Sequence, residues 1–263
     1  MLRLENIREY FPPYLANEPG FQKYLLKEYL QLLILSYLAD SPWLPKLSFI
    51  GGTHLRLVKG IDRFSEDLDF DCKDLTRDDF FRMGDEIIRF LRKYGYAAEA
   101  KDRPNPNLSA FRRSIYFPEL LFSLGISPHR DERFLIKIEA EDQGIAYTPQ
   151  ITQIQGCGLF FPFRIPNDAV MLSMKLSALL TRAKGRDFFD VIFLSARTKP
   201  DYAFLAQRMG IHDENELREK ILNLLNSTNL SHKAQDLSHL LFQPENARRI
   251  LAFQEIVFKN WGW

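Results

Sequence analysis

Asp67-Leu68-Asp69-Phe70 alternates carboxylates with large apolar side chains. That period of two belongs to a β-strand, in which successive side chains point to opposite faces. Asp67 and Asp69 therefore share one face, and Leu68 and Phe70 share the other. The chain is committed to a sheet that buries its apolar side and gathers acid on its polar side. Two carboxylates this close repel each other unless a cation lies between them. Mg2+ suits such a pair, because it takes one or two carboxylates together with substrate phosphates. A solvated strand face is the plainer alternative for a D-x-D standing alone.

The surrounding residues favour the cation. Gly51-Gly52-Thr53 follows the apolar run "KLSFI" and leads into "THLRLVKG", which reads as strand, glycine turn and short helix. Paired glycines let backbone approach a ligand closely, and amides at a helix start attract phosphate. Farther on, "RFLIKIEAED" alternates Phe134, Ile136, Ile138 and Ala140 with Lys137, Glu139 and Glu141, a second strand. Glu139 is the candidate third acid that two-metal phosphoryl transfer uses, with Glu141 as its competitor on the same face. A calcium loop is excluded, since Cys72 stands where D-x-D-x-D-G needs its glycine. A haloacid-dehalogenase-type start is also excluded, because "RFSE" supplies no apolar strand ahead of the diacid.

The remaining chain sets the frame. Its 263 residues, 46% apolar and 26% charged, suffice for one large domain or a core with an appended one. A net charge of +1 excludes a wholesale polyanion magnet, so any nucleic-acid surface is local. Cys72 and Cys157 form no CxxC pair and indicate neither a disulfide framework nor a zinc site, in keeping with a cytoplasmic location. The run "YLLKEYLQLLILSYLAD" carries Lys27, Glu28 and Gln31, too polar for a membrane span and suited to a buried helix over Phe21–Ala39. Thr76 caps a second helix that stops at Gly95, and a strand is expected at the end of "KDRPNPNLSAFRRSIYF". From Pro166 the pattern is helical, with breaks near Gly185, Lys199-Pro200, Gly210 and Pro244. The expected division is a core over residues 1–165 and a helical domain over 166–263. In the latter, Lys175, Arg182, Lys184 and Arg186 precede Asp187 and Asp190, cations suited to neutralising triphosphate with acids to orient them.

Taken together, "GGTHLRLVKGIDRFSEDLDF", the "IKIE" strand and "KGRDFFD" resemble the AbiEii/AbiGii-type nucleotidyltransferase toxins, a branch of the DNA polymerase β-like nucleotidyltransferase superfamily. The resemblance implies an α+β nucleotidyltransferase fold, with a small mixed β-sheet flanked by helices and a helical C-terminal region. It implies metal binding by Asp67, Asp69 and Glu139, with Mg2+ or Mn2+ as cofactor and an NTP as substrate. Lys184 would contact phosphate and Asp187 would support catalysis. Gly51, Gly52, Thr53, Ser65, Lys175, Arg182, Arg186 and Asp190 would bind the nucleotide. His54 and Arg56 stand where small or aliphatic residues are expected. Implied partners are an RNA acceptor, the tRNA 3′ end in some members, and a cognate antitoxin, with no membrane. Lys101, Arg103, Arg112, Arg113, Arg130 and Arg133 are the candidate RNA footprint. NMPylation of a protein hydroxyl and a non-catalytic nucleotide- or partner-binding module are the rival readings.

Overall fold

A computed structural model describes residues 4–102 and 110–263, so Arg103 lies outside the described residues. In chain order the first elements are α1 (Leu4–Arg8), α2 (Pro13–Ala16), α3 (Gln22–Ala39), β1 (Leu47–Ile50), α4 (Gly51–Leu57) and β2 (Leu68–Cys72). There follow α5 (Arg77–Lys93), β3 (Glu99–Ala100), β4 (Phe111–Tyr116), α6 (Leu120–Ser123), β5 (Leu135–Glu141), β6 (Gln150–Gly156) and β7 (Leu159–Ile165). The C-terminal helices are α7 (Asp168–Arg182), α8 (Gly185–Ser195), α9 (Tyr202–Met209), α10 (Glu214–Asn226), α11 (Leu230–Ser238) and α12 (Phe253–Trp261). The chain forms two compact units. Met1–Gly60, Phe64–Gln143 and Gln150–Ile165 make the first, and Ile61–Arg63, Gly144–Pro149 and Pro166–Trp263 the second.

A five-stranded mixed sheet of order β1-β2-β5-β4-β3 lies in the first unit. Only β2 and β5 run parallel, and β1 and β4 flank them antiparallel. The alternation of the acidic strand is realised as expected: Leu68, Phe70 and Cys72 are buried, while Asp69 is partly exposed. Phe70 meets Phe49 of β1 and Phe163 of β7, with ring centroids 5.8 and 5.9 Å apart. Burying an aromatic of this size contributes about 2 kcal/mol, so the apolar face fixes which way the acids point. Across α5, Phe80, Met83, Ile87 and Leu91 repeat at helical spacing and are buried. Thr76 caps that helix by accepting from the amide of Asp79 at 3.1 Å. The hairpin β6–β7 was not legible as strands. Its register pairs Ile154 with Phe161 and Thr152 with Phe163.

In the second unit four helix starts carry a side-chain cap. Asn167, Asp201, Asp213 and Asn229 accept amide hydrogens from the first turns of α7, α9, α10 and α11. Ile145 packs there with Val170 and Phe204, and Arg63 is tied to Asp190, so these two short stretches belong with the helices. Among the described residues, no helix is long and apolar enough to cross a membrane.

Candidate active site

Asp67 enters β2 from a loop held at several points. The Thr53 hydroxyl donates to the Asp67 carbonyl at 2.5 Å, and the Lys137 ammonium lies 3.5 Å from Oδ1. Upstream, Gln31 Nε2 donates to the Ser65 carbonyl at 3.2 Å, and Lys27 pairs with Glu66 at 2.9 Å. The polar residues of α3, legible only as an argument against a membrane span, thus hold the approach to the diacid. Thr53 itself is fully buried, which gives it a positioning part toward Asp67 rather than an open hydroxyl toward phosphate.

Asp69 pairs in register with Ile50 on one side and Glu139 on the other. Asp69 and Glu139 therefore leave the same face of the sheet. The glycine turn lies against this carboxylate: Gly51 has φ +82°, and a β-carbon there would fall 2.1 Å from Asp69 Oδ2. Only glycine satisfies both the left-handed backbone and that approach. Glu139 accepts from Arg112 Nε at 2.8 Å, its register neighbour on β4. Glu141 occupies the corresponding position beside Asp71, one step farther along the strands. His54 is buried edge-on to Phe49, and Arg56 makes a two-pronged bond to Glu28 at 2.8 and 3.0 Å. Both unexpected residues are absorbed by local packing.

No three His, Cys, Asp or Glu side chains among the described residues converge as a ready metal cage. The donors fit a different pattern, in which Mg2+ takes one or two protein carboxylates and completes its shell with phosphate and water. Asp67 and Asp69 are partly exposed oxygen donors of that hard kind. Glu139 already shares one carboxylate oxygen with Arg112.

In the second unit the helical segment is broken, as Gly185 suggested, but the glycine opens α8 rather than closing α7. Ala183 takes the left-handed conformation after α7, and Lys184 is the extended cap residue of α8. A β-carbon at Gly185 would meet the Lys233 carbonyl oxygen at 2.0 Å, so α11 requires glycine there. Asp187 is fully buried and accepts from Arg182 Nε and Nη2 at 3.0 and 2.8 Å and from the Lys184 amide at 3.1 Å. Asp190 is also fully buried. Arg63 binds it through Nε at 2.7 Å and Nη2 at 2.8 Å, and Lys175 Nζ lies 2.8 Å from Oδ2. Burial pushes the Asp190 carboxyl up, but the charges and hydrogen bonds of Arg63 and Lys175 outweigh it and hold the group below its ordinary value. The two acids organise the segment. Lys184 is exposed and Arg186 partly so.

Of the expected basic footprint, Lys101, Arg130 and Arg133 are exposed, while Arg112 and Arg113 are drawn into ion pairs. Arg112 engages Glu139, Arg113 is buried against Asp85 and Asp102, Arg130 lies 3.8 Å from Glu119, and Lys101 covers the Tyr116 ring. Arg133 remains exposed.

The five-stranded mixed sheet, with its glycine turn leading from β1 into α4, is a nucleotidyltransferase fold. Solved structures share the fold. JHP933 from Helicobacter pylori is 22% identical, with a TM-score of 0.52 over 91% of this chain and 94% of that one. MenT4, a nucleotidyltransferase toxin from Mycobacterium tuberculosis H37Rv, is 14% identical, with a TM-score of 0.57 over 98% and 99%. The family described as "Nucleotidyl transferase AbiEii toxin, Type IV TA system" matches residues 33–256. This chain belongs to that family and is a nucleotidyltransferase; the family description implies NTP use and an antitoxin partner. Comparison with curated proteins found no match.

Proposed function

We propose that this enzyme transfers NMP from an NTP to an RNA acceptor, the 3′ end of tRNA, with Mg2+ held by Asp67 and Asp69. The reading is supported above all by the placement of Asp69 beside Glu139, with Gly51 pressed against the Asp69 carboxylate. Asp67 and Asp69 would hold a divalent cation there, which when bound would withdraw charge from the α-phosphate and lower the pKa of the acceptor hydroxyl. Asp67 and Asp69 supply anionic oxygens, kept in place by Thr53 and by the turn. The acceptor hydroxyl releases its proton to solvent as its oxygen bonds to the α-phosphorus, the bond from that phosphorus to the α–β bridging oxygen breaks, and pyrophosphate leaves with that oxygen. Mn2+, which shares the preference for oxygen donors, would serve as the alternative ion.

The test is incubation with each labelled NTP, Mg2+ and total cellular RNA, followed by sequencing of modified ends. Label on tRNA 3′ ends that disappears in Asp69→Ala is the expected outcome. No label on any RNA, across all four nucleotides, overturns the acceptor class. Label on lysate protein instead reassigns the acceptor to a protein hydroxyl.

A further inference from the structure

Two cations stand among the acids of the first unit, and neither yet has a part in the reaction. Lys137 Nζ lies 3.5 Å from Asp67 Oδ1, with side chains 40% and 25% exposed. Arg112 Nε lies 2.8 Å from Glu139 Oε1, with side chains 33% and 22% exposed. The sheet explains their placement. Lys137 and Glu139 are two residues apart on β5 and alternate with the buried Ile136, Ile138 and Ala140, so both leave its polar face. Asp69 of β2 and Arg112 of β4 are the register partners of Glu139 on its two sides. Asp67 stands one residue before β2.

Ion pairs this open to water add little to stability, so fastening strands is a poor reason for them. Their effect on a metal ion is larger. A divalent cation entering among these acids meets two positive charges already there, and the repulsion grows with the product of the charges. A nucleoside triphosphate reverses the balance, because its phosphate oxygens attract ammonium, guanidinium and metal alike.

We propose that Lys137 and Arg112 are resident counter-ions that make divalent-cation binding at the acidic strand conditional on the nucleotide. Without nucleotide they occupy the carboxylates and repel the ion; phosphate oxygens offset their charge and admit it. The inference rests on the proposed metal- and NTP-dependent reading of this site.

The test is a Mn2+ titration followed by electron paramagnetic resonance, with and without a non-hydrolysable NTP. Wild type is compared with Lys137→Met and Arg112→Met, which lose the charge, and with Lys93→Met. Lys93, exposed in the last turn of α5, controls for net charge alone. Without nucleotide, Mn2+ binding is expected to tighten about tenfold in Lys137→Met and in Arg112→Met, the effect of one unit charge a few ångströms from a divalent ion in water-like surroundings. Lys93→Met is expected to match wild type. With nucleotide the gap closes, so the factor by which NTP tightens Mn2+ binding falls about tenfold, and by linkage so does the factor by which Mn2+ tightens NTP binding. Unchanged or weakened Mn2+ affinity in both folded variants overturns the proposal, as does an equal gain in Lys93→Met. So does wild type that binds Mn2+ as tightly without nucleotide, or not at all. Mere strand fastening predicts a lower melting temperature and an unaltered affinity. Conditional Mn2+ uptake with no label on any RNA sinks the proposed transfer and leaves the counter-ions standing. Label on RNA with unaltered affinities sinks the counter-ions alone.

Discussion

Gly51 and Gly60 form a natural pair for testing how the turn serves the diacid. Both have left-handed backbone, with φ of +82° and +73°. Alanine at either position costs about 1–2 kcal/mol for that conformation. At Gly60 nothing lies within 4 Å of a new β-carbon, so the backbone cost is the whole effect. At Gly51 the β-carbon would fall 2.1 Å from Asp69 Oδ2 and 2.8 Å from Asp69 Cβ and Cγ, where real contacts stay beyond 3.0 Å. The carboxylate must move from 2.1 Å to at least 3.0 Å, about 0.9 Å. Because Asp69 Cβ is too close as well, side-chain rotation alone does not relieve the clash. A displacement of roughly 1 Å at a catalytic group costs about 100-fold in rate. Urea unfolding of Gly51→Ala and Gly60→Ala, beside pyrophosphate release from NTP, separates the two effects. The expected outcome is lost stability in both and a further loss of about 100-fold in turnover in Gly51→Ala alone. Equal turnover in the two variants would refute the claim that the turn is shaped around Asp69.

Other outcomes follow from the buried charges and thiols. Asp190→Ala leaves two cations uncompensated and destabilises by about 3–5 kcal/mol in urea titration; a loss within experimental scatter contradicts the buried cluster. Because Asp190 is held below the ordinary aspartate value of 3.8, its stabilisation is complete above that pH and is lost as pH falls through the lower folded value. Stability measured below pH 3.8 therefore falls more steeply in wild type than in Asp190→Asn. Burial pushes the Cys72 and Cys157 thiols up to about 12, so both resist iodoacetamide at pH 8. Rapid stoichiometric labelling of the native protein would show otherwise.

The acidic strand and the glycine turn were legible because both are written in local spacing. A period of two places Asp67 and Asp69 on a common face, and a glycine pair after a strand marks a turn. Long-range partners leave no such trace. Lys27 and Gln31 read as polar interruptions of an apolar helix, yet they hold Glu66 and Ser65 from more than thirty residues away. Arg63 reads as one letter of a motif, and only the fold brings it to Asp190. The hairpin escaped notice for a different reason. In β6 and β7, Pro162 reads as a strand breaker, and large apolar Ile151 and Phe160 lie on the exposed side, so the alternation is blurred. At the α7–α8 junction glycine suggested a helix end, but the left-handed residue is Ala183, and Gly185 answers to the close backbone of α11.

The most direct test of the metal claim is a Mn2+ titration followed by electron paramagnetic resonance in the presence of a non-hydrolysable NTP. Wild type is expected to take up Mn2+ with the nucleotide, and Asp69→Asn, at an unchanged melting temperature, is expected to leave it free in solution. Equal uptake by the two proteins would place the divalent cation elsewhere and contradict the account.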